Sequence, residues 1–151
     1  MTTMTTTTTT PAGTDTLNSL LRGEMSAIET YRQALEKVGQ DAGAEQLRSI
    51  ERDHRAAVDG LSTHVGRQGE KPAQDSGAWG TFAKAVTGTA KVFGNAAALK
   101  ALKEGEEHGV KEYQAALDDK DVPADLKAHL RGFLAKQQQH IAVLDRLIDA
   151  V

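Results

Sequence analysis

The chain contains no cysteine. That removes disulfides, thiolate metal sites and thiol nucleophiles together, so a metal site would have to be built from Glu, Asp and His. It leaves the redox compartment open. Aromatic residues make up only 4% of the chain and there are three prolines. A β-sandwich, which draws on aromatic and β-branched strands, is poorly supplied, whereas the abundant Ala, Leu, Glu, Lys and Gln favour helices. No apolar run approaches the roughly 20 residues of a membrane span. Basic excess is also missing, with a net charge of −3 and a pI near 5.9. Nucleic acid and anionic membranes, which call for clustered Lys and Arg, are therefore not expected partners. Neither a Gly-rich phosphate loop after a strand nor a Ser-His-Asp arrangement is visible, which removes support for nucleotide binding and hydrolase chemistry.

What is present is enough for one core. The 39% hydrophobic content of 151 residues suits a single domain, and the reading is an all-α, cytoplasmic protein. Residues 1–13 form a Thr-rich tail without the basic and apolar regions of a secretory signal, and are expected to be disordered. Apolar residues then recur at helical spacing. Helices are predicted at about 15–38 (Leu17, Leu20, Leu21, Ile28, Tyr31, Leu35), 43–65 (Leu47, Ile50, Ala57, Leu61, Val65), 96–118 (Leu99, Leu102, Val110, Tyr113, Leu117) and 123–149 (Leu126, Leu130, Phe133, Leu144, Leu147). Thr14 or Asp15 can cap the first, Asn95 the third, and Pro123 can open the fourth in its first turn. The breakers at 39–43 and 118–121 are short, which implies antiparallel neighbours. Between them, 66–95 is too long for a simple loop. A short crossover helix near 78–92, pinned by Trp79 and Phe82, is expected there, and its amphipathic surface could make a homodimer contact.

Two stretches repeat. Residues 23–35 and 105–117 each read Gly-Glu, a small residue three after the Glu, a Tyr seven after it, then Ala-Leu, with Glu24 and Glu106 separated by 82 residues. A second repeat relates Glu51 and His54 to Gln137 and His140 at an offset of 86. Each pair is spaced three apart and so shares a helix face. All six residues interrupt the apolar stripes near mid-helix. Three buried carboxylates facing one interior are costly without a compensating charge or hydrogen bonds. A cation offsets that directly, and carboxylate oxygen with imidazole nitrogen suits Fe, Mn or Zn. The other solution is a metal-free network in which Tyr hydroxyls, His rings and Gln137 satisfy the carboxylates. His64, His108 and His129 border the stripes and are read as partly exposed.

In these motifs the chain resembles the ferritin-like superfamily, of the rubrerythrin and bacterioferritin type, whose first and third helices carry Glu-x-x-Ala-x-x-x-Tyr and whose second and fourth carry Glu-x-x-His. The layout is similar to a bacterial branch of ferritin-like bundles of unknown function. The resemblance covers about 14–149 and implies an antiparallel four-helix bundle of two hairpins joined by a long crossover. It also implies one or two Fe ions, with Mn or Zn as alternatives, and oxidase or peroxide-related activity. Carried over by position, the metal ligands are Glu24, Glu51, His54, Glu106 and His140, with Tyr31 and Tyr113 hydrogen-bonding to them. Gln137 stands where the pattern has a carboxylate. An amide there supports a weaker second metal position, a single-metal site or no metal. The alternative from another class is a non-enzymatic, stress-associated or scaffold bundle with a metal-free polar layer.

Overall fold

The computed structural model describes residues 13–38, 43–76 and 95–151. Among the described residues there are four helices: α1 Thr14–Val38, α2 Ala44–Arg67, α3 Asn95–Asp118 and α4 Ala124–Asp149. Each starts and stops within about two residues of where its periodicity and breakers place it. Most of the tail, the 39–42 turn and the crossover helix expected near 78–92 lie outside the described residues.

The helix ends follow local chemistry. Gly43 precedes α2 at φ 99°, a left-handed conformation that glycine reaches without strain. The helix runs two residues past the expected stop because Gly66 stays helical. Gly69, at φ 77°, ends it, with the Glu70 amide bonding back to the Val65 carbonyl at 3.3 Å. Pro123 does not enter the first turn of α4; it is the extended cap residue before Ala124. Thr14 is the first helical residue of α1 rather than a free cap, its hydroxyl donating to Gln68 Oε1 at 2.6 Å. The segment after α2 lies along α1, where Asn18 accepts from the Ala73 amide at 2.9 Å and Ser76 donates to Glu29 at 3.4 Å.

The helices pair as two hairpins, α1 with α2 and α3 with α4, which pack most closely. The hairpins meet α1 to α3 and, more loosely, α2 to α4, while the diagonal pairs stay apart. Side-chain pairings fix the directions. Tyr31 reaches Glu106 while Glu24 reaches Tyr113, so α1 and α3 run antiparallel. His54 faces His140, and ten residues further along α2 His64 faces His129, eleven residues back in α4. This is the geometry of an antiparallel four-helix bundle.

Two apolar clusters fill it. One gathers Leu17, Leu20, Leu21, Leu61, Val65, Ala116, Leu126 and Leu130; the other gathers Ala34, Leu47, Ile50, Leu99, Leu102 and Leu144. Between them lies a layer of buried polar residues, Glu24, His54, Glu106, Gln137 and His140, none more than 6% exposed. Among the described residues no helix is long and apolar enough to cross a membrane.

Candidate metal centre

The layer is built two-fold, as the repeated motifs require. Glu24 and Tyr31 sit two turns apart on α1, Glu106 and Tyr113 two turns apart on α3. Because the helices are antiparallel, each Tyr lies opposite the other helix's Glu. Tyr31 donates to Glu106 Oε1 and Tyr113 to Glu24 Oε1, both at 2.7 Å. Burial and the facing carboxylates hold both phenols well above their ordinary pKa, so they stay donors.

His54 occupies the centre. Its Nδ1 lies 2.5 Å from Glu24 Oε2 and its Nε2 2.6 Å from Glu106 Oε1. Both nitrogens face acceptors, so both carry protons and the ring is an imidazolium. Burial opposes that charge, but Glu24 and Glu106 outweigh it and raise the pKa to about 10. Glu106 responds in the opposite sense: burial would raise its pKa, yet His54 and His140 draw it down to about 2. His140 brings Nδ1 to 3.3 Å from the Glu106 carboxylate and Nε2 to 2.8 Å from Asp53 Oδ2. Its ring lies 5.0 Å from that of His54. One ligand atom from each of His54, Glu106 and His140 lies within 4.8 Å of the others, the arrangement of a group able to hold a metal ion.

Gln137 joins the layer from α4. Its Nε2 donates to Glu24 Oε1 at 2.8 Å, while its Oε1 is buried without a hydrogen-bond partner. That oxygen rests against Gly109, where a Cβ would collide with it. A cavity of about 50 Å³ adjoins the layer between α1 and α3. Small residues, among them Gly23, Ser26, Gly105 and Gly109, line it together with Glu24, His54, Glu106 and Gln137.

Of the residues singled out from sequence, the structure brings Glu24, His54, Glu106, His140, Gln137, Tyr31 and Tyr113 into one layer. It does not bring Glu51. That carboxylate accepts from Arg55 at 2.7 Å, its own next turn, and from Arg32 of α1 at 3.2 Å. The reason is angular. On a helix Glu51 lies roughly 60° from His54 toward α1, and Asp53 about 100° away on the other flank, toward α4. Arg32 draws the first outward, and His140 meets the second.

Asp53 was not anticipated. It is 34% exposed along its side chain and lies off the stripe, so periodicity gives no signal for it. Its only clue is adjacency to His54. The pairing of His64 with His129, ring centres 4.7 Å apart, was equally hidden, since it depends on the register between α2 and α4.

No curated protein and no solved structure matches the chain. One family model matches residues 13–119. It takes in α1, α2 and α3, with Glu24, Tyr31, His54, Glu106 and Tyr113, and ends before α4. By that match the chain belongs to the family described as a domain of unknown function (DUF2383).

Proposed function

We propose that this is a ferritin-like protein that binds a transition-metal ion in its core, held by His54, Glu106 and His140 with Glu24 and Gln137 beside them. The observation that carries the reading is the convergence of two imidazoles and a carboxylate from three helices on one buried point. The donor set of nitrogen and oxygen without sulfur suits Fe, Mn or Zn. The unpartnered Gln137 Oε1 fits as well, being a buried acceptor left without a donor in a layer where every other polar atom is paired. Iron or manganese held there would supply one-electron redox chemistry toward oxygen or peroxide.

The chain's own residues set the terms. Glu24 and Glu106 are held by phenolic O–H donors, which keeps their oxygens aimed at the centre and limits reorganisation on loading. His54 must lose a proton to become a ligand, so binding releases that proton and strengthens as pH rises toward 10. Glu51 acts as a ligand only if it leaves Arg32 and Arg55. A single ion is therefore favoured over a bridged pair.

Calorimetric titration of metal-stripped protein with Fe(II) without oxygen, and with Mn(II), tests the reading. One ion per chain should bind, with proton release at pH 7.5, and Glu106→Gln and His140→Gln should each abolish binding. Binding of less than about a tenth of an ion per chain for both metals would overturn it.

One observation favours a second reading. The His54 imidazolium already neutralises both carboxylates and uses both nitrogens, which is how a metal-free bundle would stabilise this layer. A stress-associated or scaffold protein of that kind would show no metal binding and would lose stability as pH rises through about 10, where His54 gives up its proton.

A further inference from the structure

A second cluster of metal-binding side chains lies on the same α2·α4 seam, outside the layer. His64 comes from the last turns of α2 and His129 from the second turn of α4, and their ring centres are 4.7 Å apart at an interplanar angle of 54°. Two imidazoles on one tetrahedral Zn(II), with Zn–N near 2.0 Å, have ring centres about 5 Å apart. Each ring is at least partly open to solvent, so a ligand can reach it without opening the core. Asp125 lies one turn before His129 on the same face of α4 and acts electrostatically on His64.

We propose that His64 and His129 form a two-imidazole surface site for a borderline transition-metal cation of the Zn(II), Cu(II) or Ni(II) class, with the Asp125 carboxylate as a nearby balancing charge. Imidazole pairs select these ions over Mg(II) and Ca(II), which require oxygen ligands. Burial, His129 and Arg67 hold the pKa of His64 below its ordinary value, against the opposing pull of Asp125. The ring is thus neutral and able to coordinate near pH 7. Arg67 also repels a cation, and Asp125 offsets that charge. The site is separate from the buried layer. About ten residues of helix, roughly 15 Å, lie between the two His pairs, and that stretch is filled by fully buried Leu61 and by the Phe133 ring packed on Gly60.

Titration of the full chain with Zn(II) at pH 7.5, followed through the individual histidine ring resonances by NMR, tests the proposal. His64 and His129 should move together along one saturating curve, distinct from any change at His54 and His140. His64→Gln and His129→Gln should each weaken that curve about tenfold or more, and Asp125→Asn by a smaller factor. Both His positions tolerate substitution because they lie on the surface, so loss of fold does not confuse the result. The proposal is overturned if the two rings stay unmoved at a tenfold excess of Zn(II), if Mg(II) moves them equally, or if both Gln variants retain the wild-type curve. Because the readout is residue-specific, it stands or falls independently of the core site.

Discussion

His54 holds a buried positive charge between two buried carboxylates. Its charge is stable only because two carboxylates press on it, and that makes the fold pH-dependent. An ordinary histidine titrates near 6.5 and His54 near 10, so the folded protein keeps a proton that the unfolded chain releases. Its contribution is complete below about pH 6.5 and disappears as pH climbs through 10. Glu106 runs the other way, from 4.5 when unfolded to about 2 when folded: its contribution is present above 4.5 and lost as pH falls toward 2. Metal-stripped protein should therefore be most stable between about pH 4.5 and 6.5, with a Tm that declines steadily from pH 6.5 to 10. A flat Tm over that alkaline range would exclude a charged His54. The phenols test the same layer more gently. Tyr31→Phe and Tyr113→Phe each remove a hydrogen bond to a buried carboxylate, and each should cost about 1.5–3 kcal/mol in denaturant unfolding.

At the scale of the helix, small residues decide how closely the layer can assemble. Gly109 and Gly132 both sit inside helices, but a Cβ at Gly109 would strike the Gln137 amide, whereas one at Gly132 meets nothing within 4 Å. Gly132→Ala should then stabilise by roughly 0.5–1 kcal/mol through helix propensity alone. Gly109→Ala should forfeit that gain, since Gln137 must move and release its 2.8 Å bond to Glu24. Equal stabilisation by the two variants would show that Gln137 is not held where the structure places it. Phe133 gives a second instance: its ring packs on Gly60 and seals the seam between the two histidine pairs.

For the whole molecule, the polar layer separates two apolar clusters that do the packing. The protein should therefore fold without metal, and the proposed metal binding should add stability instead of creating the fold. At a free metal concentration about 100 times the Kd the gain is about 2.7 kcal/mol. For a chain of this length that corresponds to a rise in Tm of roughly 5–10 °C. With Fe(II) or Mn(II), Glu106→Gln, close in shape but poor as a ligand, should abolish the rise. A comparable rise in that variant would place the binding elsewhere, with the surface pair of His64 and His129 as the first location to examine.

The four described helices and their pairing into hairpins were legible in the sequence, because helical periodicity and short Gly- and Asp-containing breakers are local properties. So was the membership of most of the layer. Polar residues that interrupt an apolar stripe at repeated spacing have to share a depth in the bundle, and Glu24, His54, Glu106, Gln137 and His140 do. Tertiary structure alone decided how that layer is wired. Glu51 turned to Arg32 and Arg55, Asp53 entered beside His140, and His64 met His129, each according to which neighbouring helix lies on which flank of α2. A stripe in the sequence specifies a face to within some tens of degrees. Whether a carboxylate at its edge points to the core or to an arginine is set by the partner helix, whose register no local pattern encodes.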